Sequence, residues 1–324
     1  MTVSGPTGLP EPDAPPVGLP YHRIQEAGRP GAWRPIVGVL LMFLGFALFG
    51  ALVASILFEI AYLATGHGNA DIARLADLEH PTPAGLAFLN VALATFIPLA
   101  MLGERLLHGL RPGWLASVRP RIRWRFLLAC LGISVVALIA TLVVGSVLPG
   151  QNGDVSRHAN AFTTTTFQYL LVIVLLTPFQ AAGEEYLFRG YLTQAFGGMF
   201  RSAWVAVLLP AVLFGLAHGL GQSVPVFFDR FAFGVVAGVL VIRTGGLEAG
   251  IAMHVLNNWF AFGLALAFGD MGSTLNPTGG SWWSLPTTLT QSLVYLGLAL
   301  LVARRRGLET ATNPAVLAAS RGRV

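Results

Sequence analysis

Apolar residues gather in long runs separated by short polar breaks: Ile36–Leu63, Gly85–Leu102, Phe126–Leu148, Phe167–Gln180, Ala203–Ala217, Val224–Ile242, Leu247–Phe268 and Leu285–Ala303. Crossing a bilayer as a helix takes ~20 mostly apolar residues, and most of these runs reach that length with their flanks. The fourth and fifth are short because polar residues interrupt them. The pattern predicts an all-α, polytopic transmembrane helical bundle of about eight spans. An even number of crossings leaves both termini on one side.

Composition agrees. Hydrophobic residues make up 54% of the 324-residue chain and charged residues 11%, against roughly 25% charged in soluble domains. The pI near 10 does not point to nucleic acid, because the arginines flank apolar runs and form no basic patch interleaved with stacking aromatics. Arg23, Arg29 and Arg34 precede the first run. Arg105, Arg111, Arg119, Arg121, Arg123 and Arg125 fill the second loop, Arg243 the sixth, and Arg304, Arg305 and Arg306 follow the last run. The alternate loops hold Asp71, Asp77, Glu79, Asp154 and Asp270. By the positive-inside rule both termini are expected in the cytoplasm. Trp33, Trp124, Trp282 and Trp283 fall at expected interfaces. The expected setting is a multi-pass cell membrane, and the Ala-, Gly- and Arg-rich, lysine-poor usage points to a bacterium. Residues 1–34, with Pro6, Pro10, Pro12, Pro15, Pro16 and Pro20, are expected to form a disordered tail. The remaining divisions fall at 35–160, with the arginine-rich loop, 161–270, and 271–324, with the last helix and a basic tail. Cys130, the only cysteine, reads as a small buried hydrophobe.

Three segments put polar groups inside the apolar runs, where ionisable residues are costly and by default functional. In Gly183-Glu184-Glu185-Tyr186-Leu187-Phe188-Arg189-Gly190, adjacent glutamates on a helix point ~100° apart. Glu185 stands four residues before Arg189, the favourable order for a helical ion pair, which leaves Glu184 free to act as a base. The plainer alternative is a helix end emerging among headgroups. In Phe214-Gly215-Leu216-Ala217-His218-Gly219, Phe214 can wall one side of the His218 ring; a lone helix histidine is more often a satisfied core residue. In His254-Val255-Leu256-Asn257-Asn258, His254 and Asn258 share a face, Asn257 is a possible substitute, and interhelical polar packing is the common alternative.

The combination carries more than its parts. If the fourth helix runs on to about Gly197 and turns at 198–201 into the fifth, Glu184 and His218 both lie ~20–24 Å from that turn. Carboxylate and imidazole then reach similar depth on neighbouring helices. Glu-Glu-x-x-x-Arg, Phe-x-x-x-His and His-x-x-x-Asn, in that order over residues 165–260, resemble the CPBP family of intramembrane proteases, which takes in type II CAAX prenyl endopeptidases and bacterial Abi or bacteriocin-processing homologues.

The resemblance implies that 161–270 is a catalytic core and that the chain hydrolyses a peptide bond of a membrane-associated peptide or protein, at a site open toward the cytoplasm. It implies catalytic Glu184, His218, His254 and Asn258, supported by Glu185, Arg189 and Phe214, and prefers Asn258 to Asn257. Glu184 with His218 would activate a water, and His254 with Asn258 would donate to the oxyanion. No cofactor is required in this reading. Zinc held by Glu184, His218 and His254 is the alternative, although the His-Glu-x-x-His signature is absent. A non-catalytic membrane binding or immunity protein would also keep these motifs. A transporter would explain polar groups at mid-depth, but broken helices in corresponding halves are not evident.

Overall fold

The apolar runs do become helices. The computed structural model describes residues 18–148, 158–219, 221–276 and 280–321; the first half of the expected tail and Asp154 lie outside them. Among the described residues there are helices and two isolated bridges, and no strand. Seven helices are long and apolar enough to cross a membrane: α1 (Trp33–Ala64), α2 (Pro83–Leu106), α3 (Trp124–Val147), α4 (Thr164–Phe200), α6 (Val224–Thr244), α7 (Glu248–Phe268) and α8 (Ser284–Arg305). Between them lies α5 (Ala203–Ala217), apolar but shorter. The protein is an all-α, multi-pass membrane protein. Large apolar side chains on the outer surfaces of its spans, such as Leu40, Leu52, Leu128, Val143 and Leu175, are exposed, as a lipid-facing surface requires.

Seven long helices, rather than eight equal ones, follow from the polar segment 183–190. It does not end the fourth span but continues it, so α4 runs for 37 residues. Arg201, in a left-handed conformation (φ 53°), breaks the helix, and the Ser202 side chain caps α5 by accepting from the Val205 backbone. This hairpin turn lies slightly beyond the expected 198–201. The 15 residues of α5 then carry the chain back only ~22 Å before α6 descends. The first and last parts of the described chain meet on one face, where Thr312 and Leu19 exchange two hydrogen bonds of 2.9 Å.

That face carries the arginines and a compact polar layer. The expectation of disorder through residue 34 fails here, because Tyr21–Ala27 form a 3-10 helix with Tyr21 and Ile24 fully buried. Apolar side chains between the prolines supply the reason. Tyr21 donates to the Leu115 carbonyl, and Gln25 Nε2 donates to the buried Glu104 at 2.9 Å. Gln194 donates to the Trp114 carbonyl at 2.9 Å. Arg123 grips Glu248 through two guanidinium nitrogens at 2.8 and 2.6 Å and its own backbone N–H at 2.8 Å. This clamp fixes where α7 begins, and so the depth of His254 one and a half turns later.

Candidate active site

Glu184 closes the first α-helical stretch of α4, and residues Glu185–Leu192, before α-helix resumes at Thr193, are π-helical, a rare geometry found mostly at functional sites. Gly183 lets this segment touch α2: a Cβ there would stand 2.2 Å from the Leu93 carbonyl oxygen. The wider π-helical turns bury Glu185 and Arg189 almost completely, at 0% and 1% exposure. Glu185 Oε1 lies 3.2 Å from Arg189 Nη1. The guanidinium also sits over the Phe214 ring at 4.1 Å, a cation–π contact that is stronger when desolvated.

The two glutamates meet the same histidine. His254 Nδ1 lies 3.0 Å from Glu185 Oε1 in a hydrogen bond, and His254 Nε2 lies 3.3 Å from Glu184 Oε2. The second contact is close but not aligned as a hydrogen bond, and Glu184 Oε2 has no hydrogen-bond partner in the protein. Room for Glu185 depends on Gly250, where a Cβ would come within 2.6 Å of Glu185 Oε2.

His218 terminates α5 and is exposed. Its Nδ1 lies 2.8 Å from the Phe214 carbonyl. A carbonyl only accepts, so Nδ1 carries the proton and Nε2 of the neutral ring is an acceptor. Phe214 touches both imidazoles edge-on, with centroids 4.6 Å from His218 and 5.9 Å from His254. Phe233 packs against it and against His254.

Glu184, His218, His254 and Asn258 line one cavity of about 280 Å³. The structure gives no direct contact between Glu184 and His218; they face the same space. Asn258 Nδ2 donates to Gln180 Oε1 at 2.9 Å, whereas Asn257 accepts from Gln291 at 3.2 Å. Among the described residues no three His, Cys, Asp or Glu side chains are placed to hold a metal ion, so Glu184, His218 and His254 are not gathered as a ligand set. Gln180, Asn90 and Arg230 also line the cavity and escaped the sequence reading. Gln180 stands four residues before Glu184, a spacing that would have revealed it. Arg230, whose Nε is buried without a partner and whose Nη1 lies 3.8 Å from Asp229, gave no such signal.

Residues 165–260 match the family model of type II CAAX prenyl endopeptidase Rce1-like proteins. Over this core the chain is similar to the Rce1-like family. Two curated relatives share part of the chain. The uncharacterized protein YyaK of Bacillus subtilis is 30% identical over 45% of this chain and 52% of its own. An uncharacterized 24.3 kDa protein of Escherichia coli is 28% identical over 38% of this chain and 57% of its own. The match thus spans about half the length of either relative. No solved structure gives a significant match.

Proposed function

We propose that this protein is a membrane-embedded endopeptidase that hydrolyses a peptide bond of a membrane-associated peptide or protein, with Glu184 as general base. One observation carries the reading. Glu184 Oε2 is a buried carboxylate oxygen without a hydrogen-bond partner, inside a cavity also lined by His218, His254 and Asn258. A water there can donate one hydrogen to Glu184 and the other to the His218 acceptor nitrogen.

Glu184 takes a proton as the water oxygen attacks the peptide carbonyl carbon. The tetrahedral oxyanion then accepts from Asn258 and His254, the kind of stabilisation that contributes most in such reactions. The C–N bond breaks as the proton held by Glu184 passes to the departing amine. With His254 Nδ1 donating to Glu185, Nε2 can donate to the oxyanion only when the ring carries both protons. Glu185 thereby positions His254, and Arg189 balances the charge of Glu185.

The test is cleavage by purified protein, read from the membrane peptidome with and without active Glu184. Glu184→Gln should insert and fold yet release no products; turnover at the wild-type level would refute the base assignment. Chelator treatment with metal analysis of the same preparation separates the zinc-dependent alternative, which requires activity to fall and return with metal. Wild-type protein inactive on every peptide would favour a binding or immunity role.

A further inference from the structure

The cavity is closed on one face of the bundle and lined by loops on the other. Toward the arginine-bearing face, Glu185, Arg189, Leu115 and Leu247 are no more than 1% exposed, and none of them lines the cavity. In the other direction the lining climbs past Leu86 and Phe262 to Leu78, Thr274 and Leu275. Leu78 belongs to the connection between α1 and α2, and Thr274 and Leu275 to a short helix, Met271–Leu275, in the connection between α7 and α8. The short α5 leaves this side uncovered. Glu184 stands 16 residues before Phe200 and His218 16 residues after Ser202, so both lie ~24 Å from the hairpin turn. The α5–α6 connection therefore stops at the level of the carboxylate.

Charge gives the two faces different addresses. The lining loops carry Asp71, Asp77, Glu79 and Asp270 against a single arginine, Arg74. The sealed face carries Arg111, Arg119, Arg121, Arg125, Arg243 and Arg304, the bias that marks the cytoplasmic side. We infer that the site is entered from the extracytoplasmic face, so that its substrate is a peptide segment presented there, as in an exported or outward-facing membrane-anchored peptide. This names the substrate class of the peptidase proposed above and rests on that reading. It reverses the cytoplasmic opening that the family resemblance implies.

Thiol labelling tests the direction of entry without measuring catalysis. The only native thiol, Cys130, is buried, so Cys130→Ala gives a background for single cysteines in the full chain. Thr274→Cys and Leu78→Cys report the mouth, Ala261→Cys the cavity wall, and Thr310→Cys the arginine-bearing face. A membrane-impermeant sulfonated maleimide is applied to right-side-out spheroplasts and to inverted vesicles. The mouth and wall positions should react in spheroplasts and be protected in inverted vesicles, with Thr310→Cys showing the reverse. Reaction of the mouth and wall only in inverted vesicles, or of the wall in neither, overturns the inference. If labelling follows the expectation while Glu184→Gln still cleaves peptides, the base assignment fails and the direction of entry stands.

Discussion

Glu185 accepts a hydrogen bond from His254 at 3.0 Å while lying 3.2 Å from Arg189, so one carboxylate both orients an imidazole and balances a guanidinium. All three groups are buried. Removing one member of a buried ion pair strands the other charge, typically at about 3–5 kcal/mol. Glu185→Gln and Arg189→Met should each lower the detergent Tm and the yield. Their combination should be less damaging than the sum of the two, and yet inactive, because a neutral amide in place of the Glu185 carboxylate no longer offers His254 a charged acceptor. A strictly additive loss of Tm would show that the pair is not coupled.

Gly250 offers a subtler way to disturb the same carboxylate. A single methyl added there points at Glu185 Oε2 from 2.6 Å, and the crowded wall of α7 and α4 leaves little room to yield. Gly250→Ala should cost about 1–3 kcal/mol of stability, as overpacking does, and should depress kcat by more than it changes KM. Wild-type kcat with an unchanged Tm would mean that Glu185 can move without consequence for His254.

Much of this arrangement was legible in the sequence, because charge is expensive in apolar surroundings. Glu185 and Arg189 at i,i+4 inside a run could be read as neighbours, and the hairpin depth argument put Glu184 level with His218. The link from His254 to both glutamates was not legible. It depends on the crossing of α7 with a π-helical stretch of α4, and no residue spacing announces a π-helix. The order in residues 21–27 was hidden for a different reason: proline-rich composition masked a few side chains whose neighbours, Leu115 and Gly197, lie far away in sequence.

The same N-terminal segment reaches a buried carboxyl group. Gln25 donates to Glu104, which is 0% exposed and whose other carboxylate oxygen has no partner. Gln25→Ala would deprive that group of the one hydrogen bond it receives, a loss of about 1–3 kcal/mol. The variant should melt earlier, and Gln25→Ala with Glu104→Gln should recover part of the loss. Protease treatment of detergent-solubilised protein should also cut sooner near residues 21–27. An unchanged Tm and cleavage pattern would show that the docked segment does not stabilise the bundle.

His108 makes stability depend on acidity. It lies just beyond the end of α2, 2% exposed, with Nε2 3.0 Å from the Tyr191 hydroxyl. Burial first, and the Arg34 charge second, push its pKa down to about 4. A histidine whose pKa is depressed in the folded state stabilises when neutral. Its contribution is therefore complete above about pH 6.5, the unfolded value, and is lost as pH falls toward 4. The shift corresponds to about 3 kcal/mol over that window. His22, also lowered by burial and by Arg23, adds in the same direction. His108→Gln keeps a group able to bond Tyr191 but cannot titrate. Its Tm should fall less steeply than that of the wild type between pH 6.5 and 4, with the two curves parallel above pH 7. Equal slopes throughout would show that His108 takes up its proton in the folded protein as easily as in the unfolded chain.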